Sequence, residues 1–186
     1  MFIKRVLFYF LFLIISCDSQ SYVRTYSLPN TVSNTNNKIL KKEIQDTMPF
    51  IWVKPAQWTL GEGHALRLVS FIAPYSEGNG DISVTTFEGE SGGVEANVNR
   101  WRRQVGLPAL SKSKIESQAQ VQSSPMGKYQ FFQLLNNEKV DTAILASIFK
   151  LESRTLFIKL ATSKKGVLEL EEDFLSFCSS LDYASE

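Results

Sequence analysis

Ser91 has the setting that most suggests chemistry. It stands in Gly89-Glu90-Ser91-Gly92-Gly93, a Gly-x-Ser-x-Gly pattern between a predicted strand and a predicted helix. In a nucleophile elbow the glycines permit a sharp turn that lifts the serine hydroxyl into the open, and the following helix N-terminus helps stabilise an oxyanion. Such a serine needs a general base. In elbow enzymes the histidine follows the serine in the chain, whereas the single histidine here, His64, precedes it. The other known order would use His64, Asp81 and Ser91, which lie too close together for the double barrel that carries it. The competing reading is structural: Ser91 caps the helix and the glycines let the chain turn into it. A small serine hydrolase using Ser91 therefore stands as the alternative, and a non-catalytic domain with no catalytic residues as the favoured reading.

Metal and cofactor chemistry find less support. With Cys17 read as lipidated, one histidine and one free cysteine cannot build the usual zinc ligand sets. Glu77, Asp81, Glu88 and Glu90 lie in or beside two loops and leave a carboxylate calcium site open, but they lack the aspartate spacing of an EF-hand and read as solvated charges. There is no phosphate-cradling Gly-Lys-Ser/Thr loop and no dinucleotide fingerprint, so no cofactor is expected. His64, beside Gly63 at a strand start, reads as an exposed edge residue.

The N-terminus carries a different kind of chemistry. Lys4 and Arg5 precede the apolar run Val6 to Ile15, and Ser16 stands before Cys17. Charged, apolar and small residues in that order make a secretory signal, and the run is shorter than the roughly 20 residues a spanning helix needs. Ile14-Ile15-Ser16-Cys17 resembles the lipobox of bacterial lipoproteins, in which the cysteine sulfur receives a diacylglyceryl group before cleavage ahead of it. The expectation is a signal peptide over 1–16, lipidation of Cys17 and a palmitate-type membrane anchor on the extracytoplasmic, periplasmic side. An ordinary secreted protein is the bland alternative. Asp18 resembles the inner-membrane retention signal of enteric bacteria, and inner and outer membrane both stay open. Losing residues 1–16, with Lys4 and Arg5, takes the formal charge from +1 to −1 on 170 residues. So small a charge gives no case for nucleic acid, which calls for a basic patch or stripe. Lipidation would leave Cys178 without a disulfide partner, and its place on an apolar helical face makes it a buried thiol.

The elements that must hold these residues follow from composition and period. Residues 17–46 are polar and rich in Asn, Ser and Thr, bury too little apolar surface to order themselves, and read as a tether with a typical reach of roughly 30 Å. Lys38 to Gln45 is a possible short helix within it. From 47 to 186 the texture is aromatic and β-branched with Gly and Pro punctuation, which predicts a single α+β domain. Trp52 and Trp58 flank Pro55 in short extended pieces. Strands are expected at Ala65 to Ala73, Asp81 to Phe87, Gln118 to Gln122, Lys128 to Asn136, Thr142 to Lys150 and Thr155 to Ala161, the first two joined through the turn-rich Pro74 to Gly80. That is an antiparallel sheet of about six strands. Val94, Val98, Trp101 and Val105 form one helical stripe with Arg100, Arg102 and Arg103 mostly on the other side, and Gly106 with Pro108 ends that helix. Val167, Leu170, Phe174, Cys178 and Leu181 form the stripe of a closing helix from about Lys165 to Leu181. Two main helices thus pack on the sheet.

Trp52 to Trp58 around Pro55, the strand with Arg67 and Phe71, the run Gly92-Gly93-Val94-Glu95-Ala96-Asn97-Val98-Asn99-Arg100-Trp101-Arg102-Arg103-Gln104, Phe157-Ile158-Lys159-Leu160 and the closing Phe177-Cys178-Ser179-Ser180-Leu181 together resemble a family of bacterial exported proteins of unknown function. The resemblance spans about Phe50 to Tyr183. It implies lipoprotein-type or secreted proteins with a PsbP-like α/β/α sandwich, no defined role for Ser91, and action by binding a larger assembly; fold by itself does not fix function. Asn97, Arg100, Trp101 and Gln104 are then the candidate binding residues for a protein partner or small ligand. Trp101 itself reads either as core, with Asn97, Arg100 and Gln104 as its solvated border, or as a contact residue.

Overall fold

The computed structural model describes residues 50–64 and 66–184. The expected signal peptide, Cys17, the tether and the Lys38 to Gln45 helix lie outside the described residues.

Alternation sets which side of each strand is buried. In β3 (Val69–Tyr75) and β4 (Gly78–Glu88), Phe71, Ala73, Ile82 and Val84 are buried on one face, while Ile72 pairs with Asp81 and Ser70 with Ser83 on the other. The turn expected over Pro74 to Gly80 shrinks to Ser76 and Glu77, because Pro74 and Tyr75 continue β3 and Gly78 to Gly80 open β4. Gly80 pairs with Ala73, and a Cβ there would meet Leu160 Cδ1 at 2.5 Å. This glycine marks a close approach inside a strand, not a turn. The Ser76 hydroxyl and N–H both donate to Glu169, and these bonds hold its carboxyl down at about 2.

The main sheet has the order β2 (Thr59–Leu60), β3, β4, β8 (Arg154–Thr162), β7 (Ala143–Lys150), β6 (Gly127–Leu135), β5 (Gln120–Ser124), and every neighbouring pair is antiparallel. β7 lies inside the sheet with both faces apolar and covered, and β8 beside it is covered on both faces except near Lys159. A second sheet pairs β1 (Phe50–Ile51) with β9 (Asp182–Tyr183). The expected six strands become seven in the main sheet plus this pair; β1, β2 and β9 have two residues each, too few for a period to register.

Helices cover both sheet faces. α3 (Lys164–Ser179) seats Val167, Leu170, Phe174, Phe177 and Cys178 against Phe71, Ile82, Phe131, Leu145, Ile158 and Leu160. Its N-cap, Ser163, accepts from the Gly166 N–H at 3.0 Å, a bond typically worth about 1 kcal/mol. Cys178 is the buried free thiol that the periodicity predicts, and burial pushes its pKa up to about 12. On the opposite face α1 (Gly93–Gln104) seats Val98 and Trp101, followed by Val105, against Phe132, Ile144, Ala146, Ile148 and Phe157. The chain is thus α+β with an α/β/α layering. α1 ends as expected at Gly106, whose φ of +73° lets Gly106 N–H reach Arg103 O and Leu107 N–H reach Arg102 O.

Two expectations about this face need correction. Arg102 is on the covered side of α1 at 8% exposure, its Nε donating to Pro108 O at 2.8 Å, so only Arg100 and Arg103 face outward. A helix unexpected from the sequence, α2 (Lys112–Gln118), pushes β5 two residues downstream of the expected Gln118 start. It buries one side chain, Ile115, which is too little to show a helical stripe; the Asn99 amide fastens the chain ahead of it by bonding both the N–H and O of Leu110.

Candidate functional site

The glycine-rich segment is a chain of left-handed residues. Gly89, Ser91, Gly92 and Gly93 have φ of +62°, +45°, +81° and +73°, and Gly92 is the N-cap of α1 with no side chain bonding the helix end. The expectation that Ser91 caps the helix is therefore wrong. Its hydroxyl turns the other way and donates to Glu88 O at 3.1 Å. A serine at positive φ carries a steric cost near 1 kcal/mol that glycine avoids, so Ser91→Gly should leave stability unchanged or raise it, whereas Ser91→Val should lower it by about 1–2 kcal/mol in a urea melt. A fluorophosphonate probe that labels the wild type and not Ser91→Gly would reinstate the nucleophile.

Asn97 explains why this turn precedes this helix. It is only 4% exposed, so the expected solvated-border role does not hold for it. Its Nδ2 donates to Ser91 O at 2.9 Å and Gly93 O at 2.8 Å, and its Oδ1 accepts from Arg100 Nη2 at 2.7 Å. One buried amide thus fixes the turn and aims an arginine. Trp101 belongs to the core at 3% exposure, its ring edge-on to Phe157 with centroids 6.0 Å apart. Gln104 is exposed on the outer side of α1.

Arg100 and Trp101 form one wall of an open groove of about 460 Å³. Its floor is sheet: Ser83, Thr85 and Phe87 from β4 beside Lys159 and Phe157 from β8, with Ser83 opposite Lys159 and Thr85 opposite Phe157. His64, Leu66 and Arg67 make the far wall. The groove exists because α1 covers the apolar β6 to β8 part of this face, while the strip of β4 beyond it presents Ser83 and Thr85, which need no helix over them.

Its electrostatics are one-sided. Arg67 makes two parallel bonds to Asp81, Nη1 to Oδ1 at 2.8 Å and Nη2 to Oδ2 at 2.9 Å, and a third to Ser70 Oγ. Lys159 is half-buried in the middle of a strand; burial lowers its pKa, Asp81 opposes that, and Arg67 and Arg100 add to it. Among the described residues no Asp or Glu lines the groove.

Of the residues singled out from the sequence, the structure brings His64, Arg100 and Trp101 to this groove and leaves Asn97 beneath it and Gln104 away from it. Glu77, Glu88 and Glu90 are not gathered with Asp81, and no group of three or more potential metal ligands occurs among the described residues. Lys159 and Arg67 were not marked as site residues. Lys159 had a legible signal, a charge inside the apolar run Phe157-Ile158-Lys159-Leu160-Ala161 of a central strand, where an ammonium is seldom placed without a reason.

No family model matches the chain, and no curated protein matches it. Solved structures do. Cyanobacterial PsbP (CyanoP) from Synechocystis is 15% identical, with 73% of this chain and 87% of that one covered and a TM-score of 0.48. LpqN of Mycobacterium tuberculosis, described as involved in cell envelope biogenesis, is 9% identical over 73% of this chain and 83% of its own, with a TM-score of 0.47. A Bacteroides thetaiotaomicron protein is 13% identical with a TM-score of 0.45 over 74% of this chain, which spans 46% of that protein's length. The fold class rests on the strand order and helix layers of the chain itself. No helix among the described residues is long and apolar enough to cross a membrane.

Proposed function

We propose that this protein is a non-catalytic extracytoplasmic binding module, tied to a membrane by lipid on Cys17, that holds a partner protein or small ligand in the groove beside α1. The observation that carries the binding part is the groove itself: cations and aromatic rings from four separate chain segments converge on one concave surface, with no carboxylate in its lining among the described residues. The anchor part rests on Ile14-Ile15-Ser16-Cys17 behind a charged and apolar leader. Lipid on Cys17 would hold the domain at the surface, since each buried acyl methylene contributes about 0.8 kcal/mol and two or three chains give stable attachment.

The anchor is tested at Cys17. In the native bacterium, Cys17→Ser should leave the protein uncleaved or unlipidated, because the cysteine sulfur is the nucleophile that takes up the diacylglyceryl group. Mass spectrometry of the wild-type mature N-terminus should show a diacylglyceryl cysteine at position 17. An unmodified N-terminus at another residue would sink the lipoprotein reading.

A further inference from the structure

We infer that the groove takes a small organic anion: a carboxylate or phosphate that meets Lys159 and Arg100, carried on a flat apolar body that lies against Phe87. This deepens the proposed function and rests on its reading of the groove as the binding surface.

The charge argument comes from what each cation already has. Arg67 is matched by Asp81 through its two parallel bonds, so it contributes little net charge to an incoming group. Lys159 and Arg100 have no such match: among the described residues neither has a carboxylate within ion-pair distance, and Arg100 holds only the neutral amide oxygen of Asn97. Three cations less one carboxylate leave two positive charges at a concave site, on a chain whose whole formal charge is +1. An ammonium part-buried near the unmatched Arg100 is costly to keep charged, and Asp81, which opposes that cost, is already bonded to Arg67. An anion between Lys159 and Arg100 offsets both its desolvation and the like-charge repulsion, and hydrogen bonds to ionised partners are the strong ones.

The shape argument sets the rest of the ligand. The Phe87 ring is one-third exposed, at 36%, and packs edge-on to Phe157 with centroids 6.1 Å apart, so the floor beside Lys159 is aromatic and partly wet. A flat apolar body covering it removes that surface from water. A groove of about 460 Å³ is within the usual range for small-ligand sites. The cations share a single groove and do not run in a stripe, which speaks against a polyanion backbone. Asn97 acts here as a positioning residue, its buried amide holding Arg100 at the rim.

The test titrates the full-length chain calorimetrically with three probes: naphthoate, its neutral counterpart naphthalenemethanol, and inorganic phosphate. Naphthoate should bind about 10-fold or more tighter than the alcohol, with an advantage that falls as salt rises, and phosphate alone should bind more weakly than naphthoate. Arg100→Gln, a change at an exposed side chain that leaves folding intact, and Lys159→Gln should each cut the naphthoate affinity about 10-fold and leave the alcohol unaffected. Asn97→Ala should narrow the ratio of acid to alcohol in the same direction. Equal affinity for acid and alcohol would overturn the anion and leave the groove as a binding surface. Phosphate binding as tightly as naphthoate would overturn the apolar body. Absence of binding by all three probes, or binding that Arg100→Gln and Lys159→Gln do not touch, would overturn both this inference and the groove reading.

Discussion

Trp101→Ala should lower the free energy of unfolding by about 3–5 kcal/mol, the cost of deleting a large buried aromatic from a core that collapses only in part. The indole is 3% exposed and packs with Val98, Val105, Ile115, Phe132 and Phe157 in the layer between α1 and the sheet. Its removal takes away a large side chain that reaches from α1 to the Phe157 ring at the groove's edge, so α1 should loosen where Arg100 is held. Urea unfolding of the wild type and the variant measures the loss as a lower midpoint with nearly unchanged slope. A Trp101→Ala protein as stable as wild type would mean that the tryptophan is an exposed contact residue and that α1 does not pack as described.

Phe177→Ala should cost about as much on the opposite face, again 3–5 kcal/mol. Phe177 is fully buried, with ring centroids 5.2 Å from Trp58, 5.7 Å from Phe71 and 6.0 Å from Trp52, and such aromatic pairs contribute beyond their buried area. It joins the closing helix to β3 and to the Trp52 to Trp58 segment, so its loss should also free the start of the described chain. The two variants probe cores on opposite sides of the sheet that have no residue in common. Milder changes at the two sites, Trp101→Phe and Phe177→Leu, should therefore have effects that add to within about 0.5 kcal/mol in the double variant. A strong departure from additivity would show that the sheet transmits strain between its faces.

Much of the fold is legible along the chain because it is written in local periods. The Val94, Val98, Trp101, Val105 stripe and the Val167 to Leu181 stripe both mark real helices, and Gly106 stops the first of them through its positive φ. α2 was not legible, since a single buried isoleucine and a clamp from Asn99 fix it from outside the segment. The Pro74 to Gly80 turn was overread for a similar reason: Gly80 is required by Leu160 across the sheet, which no local pattern announces. Ser91 is not the cap that a serine before a helix usually is: the chain reaches α1 through consecutive left-handed residues and the hydroxyl points back to Glu88.

The sequence by itself determined the α+β class, the buried thiol of Cys178 and the apolar faces of α1 and α3, since each depends on residue type and spacing within a few turns of chain. Only the tertiary structure decided where a ligand would sit. Arg67, Lys159 and Arg100 come from a loop, a central strand and a helix, and they meet because β4 pairs with β8 while α1 covers the sheet only as far as Phe157. That convergence is set by long-range pairing and by which strip of sheet is left uncovered, and neither leaves a period in the chain for a reader to find.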